Sequence, residues 1–213
     1  KNTDGLMAMN IIHSNNASPE LERVAKKVLE KVKITAAAAD MKVKTFLRYD
    51  FDVGNGITNV VKEQNITDLI LGLHSRKGIS DTFLGKLTDG ILKNNDISIW
   101  VYHSFQPIST LKRHIVIVPE NAEYETGFSF WLAKVWNIGM NTGAKIVFYA
   151  AEESIRLIRK IQMKHPIEVD YVVFNDWESL FEIAKDLRKD DNITFVLSRK
   201  NFYSYHPAMT KIP

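Results

Sequence analysis

Ile66-Thr67-Asp68-Leu69-Ile70-Leu71-Gly72-Leu73-His74-Ser75-Arg76-Lys77 is the stretch on which the fold turns. Its apolar run fits a strand covered on both faces, because a parallel sheet between helices needs no polar alternation. The run passes into a glycine-punctuated loop, Gly72 to Gly85, and then into a helix marked by Leu84, Leu87 and Ile91. A second run, Ile193 to Leu197, ends in the same tripeptide: Ser198-Arg199-Lys200 repeats Ser75-Arg76-Lys77. Three matching residues weigh little alone. They gain weight because the order of elements around them predicts a match at that place.

Outward from this stretch, strands and helices alternate. Residues 6–12 read as a buried strand. Ser18-Pro19-Glu20 supplies a helix start, with a capping hydroxyl, a proline suited to the first helical position and acids at the positive end of the dipole. Leu21, Val24, Val28 and Val32 follow at helical spacing as one apolar stripe, and the alanines 36–39 extend it. Val43 to Phe51 reads as a strand broken by Gly54-Asn55-Gly56, a turn. A short helix with Ile57, Val60 and Val61 on one face comes next, and Ile97 to Tyr102 is a further strand.

The pattern then restarts. His114 to Val118 predicts a strand, and Glu123 to Met140 a helix with Phe128, Leu132, Val135 and Trp136 inward. Lys145 to Ala150 and Val169 to Phe174 are strands around a helix from Glu152 to Met163. Asp176 caps a helix carrying Leu180, Phe181, Ala184 and Leu187. Phe130 and Trp131 lie off the inward stripe, where aromatics suit an interface. Phe202, Tyr203, Tyr205 and His206 form a second aromatic cluster.

These elements predict an α/β chain built from one unit used twice: a first unit at 1–106, a linker at 107–112 opened by Pro107, and a second unit at 113–213. The second unit opens with a strand and long helix, 114–140, that the first lacks. The first ends with a strand, 97–102, that the second lacks. Each unit is therefore expected to be incomplete.

Composition narrows the function. Twenty-eight Lys and Arg against 25 Asp and Glu leave a net charge of +3, too little for nucleic-acid binding by charge, and no basic stripe accompanies the aromatics. The absence of cysteine removes disulfides, thiolate metal sites and a cysteine nucleophile. The six histidines form no metal-ligand spacing. His13, His74 and His103 each follow a strand, and His74 reads first as a loop histidine that hydrogen-bonds locally. No nucleophile elbow, Walker lysine motif or complete dinucleotide glycine motif is present, so no enzymatic activity is expected.

The Gly72–Gly85 loop holds the candidate site. It follows a buried strand, where doubly wound folds place ligands, and its glycines let backbone N–H groups approach a phosphate. At this point the sequence resembles the universal stress protein family, whose nucleotide signature has glycines at the positions of Gly72, Ser75 and Gly85 and a small hydroxyl at that of Lys86. Two of the four identities survive. The Cβ of Ser75 crowds a triphosphate, while Arg76, Lys77 and Lys86 still attract an anion. In the second unit Glu120 stands near the family's adenine-facing acid, and the loop from Ser198 to His206 has no glycine.

The resemblance narrows on Asp68 to His74, on Asp81-Thr82-Phe83-Leu84-Gly85-Lys86 and on Val118 to Phe128. These look like the tandem stress-protein-like tail of bacterial monovalent cation:proton antiporters. That resemblance implies two Rossmann-like sheets of the adenine nucleotide alpha hydrolase type, strand order 3-2-1-4-5. It implies a non-catalytic regulatory role on the cytoplasmic side of the inner membrane, with the transporter's membrane domain and a second copy as partners. Gly72, Ser75, Arg76, Gly85, Lys86 and Glu120 would carry any nucleotide or anion, ATP or AMP included. The alternative is a free-standing tandem universal stress protein that binds ATP or another nucleotide. The chain itself contains no membrane span, and is expected to be an excised, cytosolic part of a longer protein.

Overall fold

The computed structural model describes residues 5–72 and 85–212, and the side chains of 85–89 and 211 are outside that description. The chain divides into two compact units, Lys1–Val101 and Tyr102–Pro213.

The first unit runs β1 (Met7–His13), α1 (Pro19–Ala38), β2 (Lys44–Asp50), α2 (Val53–Glu63), β3 (Asp68–Gly72), α3 (Gly85–Asn94) and β4 (Ser98–Tyr102). Its strands form two separate pairs. β1 lies parallel to β2, with Met9 opposite Phe46, and β3 pairs with β4. Helices α2 and α3 lie along one side. Ile57, Val61 and Ile91 form a core there with Met9 and Ile11 of β1, Leu69 and Leu71 of β3, and Ile99 of β4. Asn95 ties the layer together, donating from Nδ2 to Thr58 Oγ1 at 3.0 Å and to the Ile91 carbonyl at 2.8 Å.

α1 begins as its sequence predicts. Ser18 Oγ accepts from the Leu21 amide at 3.2 Å, and Pro19 opens the helix. The face it buries is not the expected one. Ala25, Leu29 and Ala36 are buried, whereas Leu21, Val24 and Val28 stand 46%, 50% and 48% exposed. A second correction concerns Gly54 and Gly56, which lie inside the first turns of α2 rather than in a turn. Asp52 Oδ1 caps the helix through the Asn55 amide at 2.7 Å. Gly56 is closely packed: a Cβ there would stand 3.0 Å from Ile11 Cδ1 and 3.1 Å from Asp50 Cβ, so these neighbours would have to give by a few tenths of an ångström.

The second unit runs β5 (Arg113–Ile117), α4 (Phe128–Thr142), β6 (Lys145–Ala150), α5 (Glu152–Gln162), β7 (Val169–Val173), α6 (Leu180–Ile183) and β8 (Asp191–Phe195). Its strands form one sheet of order β7-β6-β5-β8. β5 is central and parallel to both neighbours, with Ile115 opposite Val147 and Ile193. The five-strand order 3-2-1-4-5 is complete in neither unit among the described residues.

Two layers cover this sheet. On one face Phe128, Leu132, Val135 and Trp136 of α4 are buried as the spacing predicts, and Trp136 stacks on Phe148 with ring centroids 6.4 Å apart. Gly139 lets the helix come down on β6, since a Cβ would meet Ile146 Cδ1 at 2.7 Å. Gly143, at φ +67°, ends the helix in the left-handed conformation that glycine favours. On the other face Ile115, Ile117, Val147 and Tyr149 meet Trp177, Ile183, Ala208 and Met209. The last two come from a 3-10 turn, Pro207–Lys211, in the closing segment.

Two helices are shorter than their sequences predict. α4 starts at Phe128, not Glu123, because residues 121–127 form an irregular loop in which Asn121 has φ +64°. The helix expected after Asp176 is broken into a 3-10 turn, the four residues of α6 and another 3-10 turn. Phe181, expected inward, is 83% exposed. A helix this short cannot hold one apolar stripe against the sheet, and Trp177 and Ile183 carry the burial instead.

At the amino end of the sheet Arg113 and Asp191 form a forked pair. Nε donates to Oδ1 at 2.8 Å and Nη2 to Oδ2 at 2.6 Å, and the Arg188 amide adds a third bond at 2.7 Å. Burial pushes the Asp191 carboxyl up. The Arg113 guanidinium and the Arg188 amide outweigh that and hold it below the usual aspartate range.

Candidate functional site

A doubly wound sheet offers ligands the carboxyl ends of its strands, where loops converge and helix N-termini point. In the first unit Gly72 is the last residue of β3 and is exposed, and Gly85 is the first residue of α3. Ser75, Arg76, Lys77 and His74 lie outside the described residues, as does the side chain of Lys86. The neighbouring strand ends are occupied by self-contained capping. His13 Nδ1 accepts from the Asn15 amide at 3.3 Å, and Asp50 Oδ1 accepts from the Asp52 amide at 3.1 Å. His13 and His103 fall in different units. The His103 ring meets Phe105 edge-on, with centroids 4.4 Å apart.

In the second unit the loop after β5 carries three carboxylates, and they have different fates. Glu120, the sequence candidate, is exposed. Glu123 Oε2 accepts from Ser154 Oγ at 2.6 Å. Ser154 is fully buried in the first turn of α5, so this carboxylate also sits at the positive end of a helix.

Glu125 reaches across to the loop after β8. Its Oε1 accepts from Ser198 Oγ at 3.1 Å, from the Ser204 amide at 2.9 Å and from Ser204 Oγ at 2.9 Å. These three donors lie in the loop that leaves the carboxyl end of β8. The Glu125 side chain takes all three. Beyond the clamp the closing segment turns back onto the sheet, with His206 Nδ1 capping its 3-10 turn through the Ala208 amide at 3.2 Å. Tyr205 packs toward the core, while Tyr203 points to solvent. The aromatic cluster of the sequence is therefore split between the two.

Sequence reasoning missed Glu125. Its partners lie 73 and 79 positions away, and no local spacing signals such a contact. It also missed His114, buried on the central strand with Nε2 3.0 Å from Thr142 Oγ1. Burial pushes that imidazole below its usual range. Among the described residues no group of His, Asp or Glu is arranged to hold a metal ion, and no helix is long and apolar enough to cross a membrane.

Comparison with solved structures places this architecture. A universal stress protein from Archaeoglobus fulgidus superposes with a TM-score of 0.53 over 78% of this chain, at 17% sequence identity. The chain has a universal-stress-protein-like fold. It spans 63% of that protein's length. No protein-family model matches the sequence, and no curated protein does. At this identity the likeness concerns the α/β, Rossmann-like fold alone.

Proposed function

We propose that this chain is a non-catalytic regulatory and interaction domain of a cation:proton antiporter, acting at the cytoplasmic face of the inner membrane. Its partners are the transporter's own membrane domain and a second copy of itself. The observation that carries the non-catalytic reading is Glu125. Its carboxylate takes the donors of Ser198 and Ser204 where a doubly wound sheet would otherwise present them to an anionic ligand. The antiporter assignment rests on the motifs from Asp68 to His74, Asp81 to Lys86 and Val118 to Phe128.

Such a domain acts by favouring one packing arrangement over another. A signal shifts that balance only through its different affinity for the two arrangements. The deciding measurement is cation-driven proton exchange in everted vesicles, using the transporter with and without residues 1–213. Retained transport with an altered activation curve supports the reading. Identical curves, or turnover of ATP by the isolated chain, overturn it.

The second reading, a free-standing tandem universal stress protein, draws on Gly72 and Gly85, which stand at the end of β3 and the start of α3. Calorimetric titration with ATP and AMP separates the two. Saturable micromolar binding that is lost on Gly85→Val favours the nucleotide reading.

A further inference from the structure

The segment that forms β2 is symmetric in its chemistry. In Val43-Lys44-Thr45-Phe46-Leu47-Arg48-Tyr49-Asp50-Phe51, positions equidistant from Leu47 complement one another. Phe46 answers Arg48, a ring against a cation. Thr45 answers Tyr49, Lys44 answers Asp50 and Val43 answers Phe51. Two such strands laid antiparallel, with Leu47 opposite Leu47, set every residue against its complement on the same face of the sheet. The outer edge of β7 in the second unit lacks this property. About Tyr171 it sets the Asp170 carboxylate against Val172.

Among the described residues β2 is paired on one edge only, by β1. The Lys44 amide donates to the Leu6 carbonyl at 2.9 Å. Alternate residues of a parallel strand serve opposite neighbours, so Lys44, Phe46, Arg48 and Asp50 bond β1, and the amides and carbonyls of Thr45, Leu47 and Tyr49 face the other edge. Open space flanks that edge on both faces. A cleft of about 390 Å³ lies between Thr45, Leu47 and α1, and one of about 190 Å³ between Phe46, Leu47, Arg48 and α2. The charges on the strand are held in place. Arg48 forks onto the Glu63 carboxylate at 2.9 and 3.2 Å, and Lys44 Nζ stands 4.8 Å over the Phe46 ring. Tyr49 is exposed, and Phe51, just past the strand, is 73% exposed.

We propose that the outer edge of β2 is an interface for a second copy of this chain, the two β2 strands pairing antiparallel about a twofold axis at Leu47. Thr45, Leu47 and Tyr49 of both copies exchange roughly six main-chain hydrogen bonds. Such an interface is isologous, so each contact occurs twice. Lys44 meets Asp50 of the other copy, and Phe46 meets Arg48. Phe51 covers Val43, which accounts for an aromatic left open at the strand end. The charge pairs also fix the register, because a slip by two residues sets Lys44 against Arg48. This surface belongs to the second-copy contact proposed above and rests on that part of the reading alone.

The test is sedimentation velocity of the 213-residue chain and its variants over a wide concentration range, with circular dichroism as the check on folding. The parent chain is expected to dimerise. Lys44→Asp alone and Asp50→Lys alone each set like charges across the axis and should weaken the dimer at least about ten-fold. Mixed together, the two variants set opposite charges at both places and should form a heterodimer of near-parental strength. Thr45→Pro removes an outward amide without touching the bonds to β1, and should leave a folded monomer. A mixture no stronger than either variant alone overturns the proposal. A Thr45→Pro dimer as strong as the parent's refutes this surface and leaves a second copy bound elsewhere. A parent chain that stays monomeric at every concentration overturns the surface and the second-copy contact together, and neither result touches the transport reading.

Discussion

Glu125→Ala tests whether the second unit is held shut by its own carboxylate. The substitution removes the acceptor of three hydrogen bonds, two from Ser204 and one from Ser198, at 2.9–3.1 Å. Ser204 is 4% exposed, so water cannot readily replace what its amide and hydroxyl lose. Hydrogen bonds to a charged acceptor contribute about 1.5–3 kcal/mol each, and a buried donor left unpaired costs about 1–3 kcal/mol. All three bonds share one oxygen, so they are not independent and their sum overstates the effect. The expected loss is about 2–4 kcal/mol. For a unit of roughly 100 residues that lowers the melting midpoint by at least about 8 °C. Urea unfolding followed by tryptophan fluorescence reads the loss, because Trp177 is buried beside the segment that the clamp retains. Exchange of the Ser204 amide reads the clamp itself. Glu125→Gln, whose side-chain carbonyl still accepts, should lose less. A loss under about 0.5 kcal/mol with unchanged Ser204 exchange would refute the reasoning, since that is the range of an ordinary surface substitution.

Two further outcomes follow from buried polar groups at the sheet. Arg113→Met strands the Asp191 carboxylate and should cost about 3–5 kcal/mol in chemical denaturation. The double variant Arg113→Met with Asp191→Leu should recover most of it, and equal losses in both would contradict the pairing. For His114 the folded imidazole titrates below its usual value because burial penalises the cation. The unfolded chain therefore takes up the proton first. The stability contribution is complete above about pH 6.5, declines as the pH falls through that value, and levels off once the ring protonates within the fold. Thermal melts of the protein and of His114→Leu across this window should diverge, with the shallower slope in the variant. Parallel curves would remove His114 from the account.

What the sequence made legible was local. The Ser18-Pro19 start of α1, the strand at Asp68–Gly72 and the inward face of α4 are each written in neighbouring residues, and each stands where it was expected. Errors arose where a local pattern met a distant partner. The Leu21, Val24, Val28 stripe is a true helical face, yet its periodicity does not say which of two adjoining apolar stripes meets the sheet. Gly54 and Gly56 look like a turn until Ile11 and Asp50 are seen to crowd Gly56. The helical reading from Glu123 to Gly127 loses to hydrogen bonds that Glu123 and Glu125 make with residues 31 or more positions away. Of the first-unit site, Gly72 and Gly85 are where the alternation of elements put them, whereas Ser75, Arg76 and the Lys86 side chain lie outside the described residues.

The central position of β5 also sets a schedule. Its partner on one side, β8, lies 78 positions downstream, the distance from Arg113 to Asp191. Closing a loop of that length costs entropy before any contact returns it. During synthesis β5 must therefore wait for residues 191–195 to emerge, with the edge carrying Ile115, Val116 and Ile117 open in the meantime. Such an interval is when a nascent chain is most exposed to self-association. The ends of this strand are guarded for it, by Lys112 and Arg113 on one side and by Pro119 and Glu120 on the other. Arg113, a charge at the start of the strand, makes its fork with Asp191 only once β8 has arrived.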